Sequence, residues 1–294
     1  MERLLKDYSY YLRIERKMSP NTVGAYCSDV RDFLEQCRIP AAQAGPEDIV
    51  RYFESRSNLL SKRSQARILS SMRSFYDWMI LEGEVSRNPC DKVEAPKLGK
   101  YLPAVLSVEE VSAILESVPD KGEMSLRDRA ILEVLYGCGL RVSELCNLRI
   151  SYIYMEENFL RIIGKGNKER LVPFAPVTGE AIRSWLEARP AAAAPQWDDF
   201  AFLNRFGKPL SRISVFSLVK KYALTAGVTK EISPHTFRHS FATHLIENGA
   251  DLRVVQEMLG HENILTTEIY THIDSRTWQA SILQHHPRRL KRID

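Results

Sequence analysis

The sequence has few cysteines, and their spacing is not that of a disulfide-rich or zinc-binding domain. The 294 residues include five cysteines, of which no two form a C-x-x-C pair: Cys27, Cys37, Cys90, Cys138 and Cys146. An odd count without paired spacing argues against a disulfide framework and against a zinc finger. Because free cysteines are among the residues most often buried, we expect reduced thiols packed mostly in the interior.

Long apolar runs and low-complexity segments are also missing. No stretch approaches the roughly 18 consecutive apolar residues of a membrane span, and residues 1–11 lack the apolar run of a signal peptide. Glycine and proline occur only 14 times each, too rarely for a collagen-like chain. We therefore expect a soluble, cytoplasmic globular protein with no membrane partner.

A large excess of charge of one sign is absent as well. The chain has 41 basic and 37 acidic residues, a formal charge of +4 and a pI of about 8.7. Nucleic-acid-binding domains often have a pI above about 9 with clustered basic residues. The charge therefore permits a nucleic-acid partner without requiring one, and any basic surface must be local.

The length suggests two domains, at roughly 100–200 residues each. Residues 1–95 show helical spacing, with a helix cap at Ser19-Pro20 and a further helix after Ser61. Residues 96–106 contain prolines, a glycine and lysines without a helical pattern, which is typical of a linker. Such a linker, extended to roughly 40 Å, would let two domains close around a rod-shaped partner. We predict the second domain over residues 107–294.

The second domain is expected to be mainly α with a small β-sheet. An apolar helix from Arg127 to Tyr136 is followed by the breaker Gly137-Cys138-Gly139. Two β-like runs, 159–163 and 171–174, flank a polar glycine turn and predict a hairpin. Further helices are expected around Glu180, Leu210, Pro234, Asp251 and Thr266.

Arg141 follows this glycine stop in otherwise apolar surroundings. A buried charge without a partner is costly, so Arg141 needs an anion beside it. A bound ligand meets this need, and so does an ion pair with Glu144 that ties two helices together.

The turn of the predicted hairpin is Gly164-Lys165-Gly166-Asn167-Lys168-Glu169-Arg170. Glycines let a backbone approach a ligand closely, and Lys165 at the tip could reach a phosphate. The segment lacks the spacing of a P-loop, and a plain solvated turn is the alternative.

Ser233-Pro234 begins a predicted helix with His235 and Arg238 in its first turn. The two side chains lie on one face, where the helix dipole and free N–H groups favour an anion. Together they indicate a phosphate site. Zinc binding by His235 and His239 is disfavoured because no third ligand is evident, and ordinary residues at the edge of the core are the alternative.

His261 follows Leu259-Gly260, and Tyr270 lies nine residues further on. An isolated tyrosine is usually a packing or surface residue. These two residues therefore indicate a function only in combination with the three segments before them.

In their order and spacing, the four segments resemble the tyrosine recombinase (phage integrase) family. All six catalytic positions of the family are filled, by Arg141, Lys165, His235, Arg238, His261 and Tyr270. Residues 1–95 resemble the family's core-binding domain, and the chain is most similar to the Xer subgroup in its length and in His285-His286-Pro287-Arg288. The resemblance implies a helical SAM-like N-terminal domain and an α+β catalytic domain.

The resemblance also implies site-specific recombination of duplex DNA, through a 3′-phosphotyrosyl intermediate on Tyr270 and a Holliday junction. Arg141 and Arg238 would hold the non-bridging phosphate oxygens, with His261 and His235 as further donors. His235 would accept the tyrosyl proton and Lys165 would protonate the leaving 5′ oxygen. Because these cations do the work of a metal, no metal or other cofactor is expected.

The implied partners are double-stranded DNA, further protomers and a DNA translocase, in the nucleoid. The protomers would form a homotetramer or a heterotetramer with a paralogous recombinase, and residues 271–294 would dock on a neighbour. Chromosome-dimer resolution and mobile-element integration or excision both stay open. Arg63, Arg67 and Arg73 are candidate DNA contacts, although a solvated helix face explains them equally well.

Two other functions compete with recombination. A type IB topoisomerase would use the same catalytic residues only to relax supercoils, and the Xer-like N-terminal domain and tail argue against it. A non-catalytic DNA-binding protein would have no use for Tyr270 or Lys165.

Overall fold

The computed structural model describes residues 1–96, 104–164, 168–260 and 275–288, with the backbone alone at 275–277 and 279. The chain divides into two compact units, Met1–Tyr101 and Leu102–Asp294. Each unit has its own buried apolar core. Among the helices within the described ranges, none combines the length and the apolar composition that crossing a membrane requires.

The first unit is helical, as the sequence predicts. Its helices are α1 (Glu2–Ile14), α2 (Pro20–Cys37), α3 (Pro46–Ser55) and α4 (Lys62–Leu81). The Ser19 hydroxyl accepts a hydrogen bond from the Thr22 N–H at 3.3 Å, and the Ser61 hydroxyl accepts one from the Ser64 N–H at 3.1 Å. These caps satisfy amides that a helix start leaves unpaired, so α2 and α4 begin where predicted.

Helix α4 lies at the centre of the first unit's core. Met72, Phe75 and Tyr76 are fully buried on its inner face, at the helical spacing seen in the sequence. The ring of Tyr8 on α1 meets Phe75 edge-on, with 5.2 Å between ring centroids. The Tyr8 hydroxyl donates to Ser74 at 2.9 Å, so its polar end is satisfied while the ring packs in the core.

The second unit combines helices with one small sheet. Its helices are α5 (Val108–Glu116), α6 (Glu123–Gly137), α7 (Val142–Cys146), α8 (Pro176–Ala188), α9 (Arg212–Thr225), α10 (Pro234–Glu247), α11 (Leu252–Leu259) and α12 (Ser275–His285). The strands are β1 (Ile153–Tyr154), β2 (Phe159–Ile163) and β3 (Glu169–Pro173), antiparallel in the order β1-β2-β3. The predicted hairpin forms from β2 and β3, with Ile163 opposite Glu169 next to its turn. Strand β3 begins two residues before the run predicted at 171–174, so Glu169 and Arg170 belong to the strand and not to the predicted turn.

Helix α6 is the central helix of this unit. Its residues from Ala130 to Gly137 are all buried, the pattern of a core helix rather than of an amphipathic surface helix. The chain then turns at Gly139, which has a φ of +59°, and a Cβ there would lie 2.5 Å from a ring carbon of Phe241. Glycine meets both conditions without strain, and this turn places Arg141 directly before α7.

The C-terminal residues within the described part pack against their own unit. Trp278 and Ile282 of α12 belong to the core, and His286 is fully buried. Arg288 forms an ion pair with the buried Glu133 of α6. Over residues 275–288, the tail of this single chain thus lies on its own unit, whereas the resemblance implies docking on a neighbour.

Besides the earlier start of β3, three details differ from the sequence prediction. The helix expected from Arg127 begins earlier, at Glu123. Strand β1 is not expected from the sequence because two residues are too few to show a strand's alternation. Helix α12 is likewise unexpected, and the helix expected near Thr266 lies outside the described residues.

Candidate active site

Arg141 stands at the N-terminal end of α7 and forms the predicted ion pair with Glu144. Both residues belong to the start of the same helix, so the pair does not tie two helices together as expected. Its Nη1 donates to Glu144 Oε1 at 2.8 Å, and its backbone N–H donates to Glu144 Oε2 at 2.8 Å. Its Nη2 reaches a second partner, the carbonyl of Gly260, at 3.0 Å. The Arg141 side chain is 36% exposed. Glu144 and the Gly260 carbonyl therefore hold the side chain in place while part of it stays accessible to solvent.

Glu144 also has a second arginine partner, Arg170 on β3. Nη1 and Nη2 of Arg170 donate to Oε1 and Oε2 of Glu144, both at 2.8 Å. Both side chains are only 4% exposed. This bidentate geometry is the strongest form of an arginine–carboxylate pair, and it makes Glu144 the shared anion between two guanidinium groups.

The buried Arg238 on α10 joins the same region of the fold. Its Nη1 donates to the carbonyl of Gly139 at 2.6 Å, and its Nη2 donates to the carbonyl of Leu259 at 2.5 Å. Arg238 therefore joins the turn before Arg141 to the last residue of α11. Its pKa falls to about 10, first because it is buried and next because Arg141 is near, so it stays charged at neutral pH.

Three arginines thus meet at the C-terminal end of α11. Arg170 donates to the carbonyl of Met258 at 2.8 Å, while Arg238 bonds Leu259 and Arg141 bonds Gly260. A helix end leaves its last carbonyls unpaired and slightly negative. The three guanidinium groups satisfy consecutive carbonyls there and fix the point where the chain leaves the helix.

The cluster of Arg141, Glu144, Arg170 and Arg238, hereafter the arginine cluster, has a surplus of positive charge. Burial by itself raises the pKa of Glu144, but hydrogen bonds and charge from Arg170 and Arg141 hold it below its ordinary value. Glu144 is therefore ionised at neutral pH, and the cluster has a formal charge of +2. A partly open site with this charge favours an anionic ligand.

The arginine cluster also has hydrogen-bond donors to spare. A guanidinium has five N–H donors. Arg141 and Arg238 each direct two of them at residues within the described ranges. The others make no hydrogen bond within those ranges and could donate to the two non-bridging oxygens of a phosphate, a ligand that arginine recognises well.

His235 is the second residue of α10, which begins at Pro234 as predicted. His235 is exposed, whereas Arg238, three residues further on, is buried. Positions three apart on a helix have Cβ atoms about 5–6 Å apart. His235 therefore lies on the solvent side of Arg238, where it could reach a ligand that Arg238 contacts.

The hairpin turn starts beside the arginine cluster. The Gly164 N–H donates to the Lys168 carbonyl at 2.8 Å and closes the turn. A Cβ on Gly164 would lie 3.6 Å from Arg170 Nη1 and 3.8 Å from Glu144 Oε1. The next residue in the chain, Lys165, lies outside the described residues, as do His261 and Tyr270, so their roles stay predictions.

The three candidate DNA contacts on α4 have different surroundings. Arg67 pairs with Asp29, with Nη2 to Oδ1 at 2.9 Å. Arg73 is half-buried and donates to the carbonyl of Val93 at 3.2 Å, so it holds the segment at Val93 against α4. Arg63 is exposed. The proposed DNA contacts of all three stay predictions.

Sequence reasoning missed Arg170 as a residue of the site. Its strand alternates, with Arg170 and Val172 buried and Glu169 and Leu171 exposed. Residues two apart on a strand share a face, so an arginine on the apolar face is a signal that the sequence contained. That signal is weakened because Arg170 stands directly beside a polar turn.

Comparisons with known proteins match both parts of the chain. Residues 104–276 match the Phage integrase family, and residues 5–83 match the Phage integrase, N-terminal SAM-like domain. The predicted combination of a helical SAM-like domain and a catalytic domain is thereby confirmed.

Similar chains extend over nearly the full length. The tyrosine recombinase XerD of Chlorobaculum tepidum is 42% identical over 298 residues, covering 97% of each chain. The tyrosine recombinase XerD of Listeria monocytogenes is 40% identical over 296 residues, covering 98% of this chain and 100% of that one. The crystal structure of XerA recombinase matches with a TM-score of 0.52 at 31% identity, covering 98% of this chain and 99% of that one. The chain belongs to the phage integrase family of tyrosine recombinases.

Proposed function

We propose that this protein is a Xer-like site-specific tyrosine recombinase, which cuts and rejoins duplex DNA through a 3′-phosphotyrosyl intermediate and a Holliday junction. The observation that carries the proposal is the arginine cluster, a partly open site of formal charge +2. Among the described residues, Arg141 and Arg238 each leave some of their donors unused. The relatives named tyrosine recombinase XerD, about 40% identical over nearly the whole chain, support it.

Phosphoryl chemistry explains why this cluster suits the reaction. A phosphodiester is an anion, and nucleophilic attack on it passes through a pentavalent state with more negative charge on the non-bridging oxygens. Donors fixed in advance at that charge contribute roughly 10²–10³ in rate each. Arg141 and Arg238 are fixed in this way by Glu144 and by backbone carbonyls, so they would need little rearrangement.

The remaining steps are assigned to residues by their match to the family's positions. The hydroxyl oxygen of Tyr270 would attack the scissile phosphorus, and the bond from phosphorus to the 5′ oxygen would break. His235 would take the tyrosyl proton, Lys165 would protonate the leaving 5′ oxygen and His261 would donate to the phosphate. Attack by the 5′ hydroxyl of another strand would reverse these steps and release Tyr270.

The domain organisation proposed for this activity has three parts. Residues 1–95 would be a core DNA-binding domain, residues 96–106 a linker, and residues 107–294 the catalytic domain with its tail. Double-stranded DNA would contact both domains, and Arg63, Arg67 and Arg73 are the candidate contacts in the first. Because phosphate contacts release counterions, binding should weaken steeply with salt.

Strand exchange between two duplexes needs four active sites, so we propose a tetramer on synapsed DNA. The protomers would be identical or would alternate with a paralogous recombinase, and a DNA translocase is a candidate regulator. The tail, of which residues 275–288 pack here on their own unit, would exchange between neighbours in that assembly. Chromosome-dimer resolution and mobile-element integration or excision are the two candidate roles.

Mapping of trapped covalent complexes across the genome tests the proposal. We expect covalent DNA at one or a few discrete sites, and cleavage of those sites in vitro that persists in EDTA. Recombinant products from two such sites distinguish a recombinase from a topoisomerase, which would relax supercoils without exchanging partners. Failure to trap any covalent DNA, or cleavage that requires added Mg²⁺, would contradict the assignment.

A further inference from the structure

Every side-chain nitrogen of Arg170 has a protein partner. Nη1 and Nη2 donate to Glu144, and Nε donates to the Met258 carbonyl at 2.8 Å. The side chain is 4% exposed. Arg170 is therefore not accessible to a substrate, although it shares the carboxylate of Glu144 with Arg141.

We propose that Arg170 is a positioning residue, which sets the charge and orientation of Arg141 and the point where the chain leaves α11. This inference rests on the proposed function, because it assumes that Arg141 binds the scissile phosphate. This positioning role has an electrostatic part and a geometric part.

The electrostatic part concerns the charge on Glu144. Oε1 of Glu144 accepts from both Arg141 and Arg170, at 2.8 Å each. If Glu144 faced Arg141 alone, the two charges would cancel, and a phosphate would have to compete with the carboxylate for the guanidinium. Arg170 supplies the second positive charge, so that Arg141 keeps a net attraction for an anion.

The geometric part concerns the end of α11. Gly260 ends this helix in a left-handed conformation, with a φ of +66°. A Cβ on Gly260 would lie 3.3 Å from Cδ and 3.4 Å from Nε of Arg170, so the arginine lies directly against the glycine backbone. Arg170 thereby joins β3, α7 and the end of α11 at the residue that precedes His261.

Lysine cannot take over these contacts. The planar fork of arginine binds both oxygens of Glu144 while its Nε reaches a third acceptor, whereas lysine has one ammonium group. Arg170→Lys would keep the charge but lose the fork. Arg170→Gln would lose the charge as well, and within the described part of the chain Arg141 would then be the cation that still pairs with Glu144.

A substrate with altered charge tests the electrostatic part. Single-turnover cleavage is measured on a nicked suicide duplex that carries a trapped site, with either a normal scissile phosphate or a methylphosphonate, which lacks the negative charge. We expect Arg170→Gln to slow cleavage of the phosphate by about 10²-fold and to slow cleavage of the methylphosphonate far less. Equal slowing on both substrates would show that Arg170 only stabilises the fold.

Arg127→Gln is the matched control. Arg127 also joins a carboxylate, Asp128, to a backbone carbonyl, that of Leu203, in the same unit. Over the described residues, no hydrogen bond or ion pair connects it to the arginine cluster. We expect Arg127→Gln to leave the ratio of phosphate to methylphosphonate cleavage unchanged, and a ratio that shifts as in Arg170→Gln would overturn the inference.

A double-mutant cycle tests whether Arg170 acts through Arg141. Arg170→Lys should slow cleavage at least about tenfold in the wild-type background, with little change in DNA affinity, and should have almost no further effect in an Arg141→Lys background. Multiplicative effects in the double mutant would show independent roles. The double-mutant cycle also tests the positioning role if Arg170→Gln does not fold. Arg170→Lys keeps the buried positive charge beside Glu144, so we expect it to fold.

Failure of this inference and failure of the proposed function give different results. If the wild-type protein cleaves DNA and the Arg170→Gln and Arg170→Lys variants are equally active, the positioning role is overturned and the proposed function stands. A wild-type protein that forms no covalent adduct on any trapped or genomic DNA would overturn the proposed function, and the inference with it.

Discussion

The ring of His286 lies against the ring of Tyr136, with 4.9 Å between the two centroids. The His286 Nδ1 accepts a hydrogen bond from the Arg288 N–H at 3.0 Å, which leaves Nε2 as the protonated nitrogen, facing the Tyr136 carbonyl at 3.4 Å. Tyr136 belongs to α6, the helix that leads to Arg141. The C-terminal residues are therefore fastened to the same core that supports the arginine cluster.

This contact predicts an acid-sensitive stability. Burial lowers the pKa of His286 from 6.5 to about 3, so between these values the unfolded chain binds a proton that the folded chain does not. Stability from this histidine is complete above pH 6.5 and is lost as the pH falls toward 3, by up to about 1.4 kcal/mol per pH unit. The free energy of unfolding in urea, measured at pH 7, 6 and 5, should show this slope.

His286→Phe isolates the contribution of His286 from that of its surroundings. The groups around it include His244, whose pKa burial also lowers, and the Glu133–Arg288 pair. These groups are present in both proteins, so the difference between the two curves belongs to His286. We expect the variant to lose less stability on acidification than the wild type, and parallel curves would show that His286 is not the group that titrates.

A second prediction concerns the turn before Arg141. Gly139→Ala would place a Cβ 2.5 Å from Phe241 at a φ of +59°, so it combines a strained backbone with overpacking. We expect a loss of roughly 2–4 kcal/mol in the free energy of unfolding, measured in urea. Because Arg238 bonds the Gly139 carbonyl, single-turnover cleavage should also be slower.

Gly227→Ala is the control for Gly139→Ala. Gly227 also has a left-handed conformation, with a φ of +73°, but a Cβ there would have no heavy atom of the described residues within 4 Å. It should therefore show the backbone cost alone, about 1 kcal/mol. Equal losses in the two variants would mean that the contact with Phe241 relaxes freely.

The sequence could predict part of the site, as a comparison of its three arginines shows. Arg141 and Arg238 stand at a helix break and in a first helical turn, and local pattern alone picks out such places. Arg170 forms its contact to Met258 across 88 residues of sequence, and no local pattern encodes a partner at that distance. The Arg141–Glu144 ion pair was foreseeable as one alternative, but the sharing of Glu144 between two arginines depends on how β3 packs against α7.

The fold shows the same division between local and long-range information. The Ser19 and Ser61 caps and the hairpin were predictable, because caps and turns depend on residues close in sequence. The position of residues 275–288 was not, since it depends on contacts with α6, α10 and β3, which are distant in sequence. The resemblance supplied the expectation of a docking tail, but it could not show that residues 275–288 pack within the single chain.

The nucleophile is the subject of a third prediction. Tyr270→Phe removes one oxygen atom, so the variant should bind DNA as the wild type does and should form no covalent adduct. A labelled nicked suicide substrate on a denaturing gel measures the adduct, and a mobility shift measures binding. An adduct that persists in Tyr270→Phe would show that another residue attacks the phosphate.

The fourth prediction separates proton donation by Lys165 from binding. Lys165→Ala is tested in single-turnover cleavage on two substrates, one with the normal 5′-bridging oxygen and one with sulfur at that position. Sulfur leaves readily as a thiolate and needs little protonation. If Lys165 is the general acid, the variant should be severely slowed on oxygen and largely rescued on sulfur, while its DNA affinity stays nearly unchanged.

Lys168→Ala is the matched control, because it removes a second lysine from the same turn while keeping the Lys168 carbonyl that closes it. We expect this variant to cleave both substrates at similar fractions of the wild-type rates. Equal slowing of Lys165→Ala on oxygen and sulfur would mean that Lys165 positions the phosphate or the hairpin. If sulfur instead rescued Lys168→Ala, Lys168 would be the acid. Sulfur needs little protonation as it leaves, so it restores cleavage only in the variant that has lost the ammonium group which protonates the leaving oxygen.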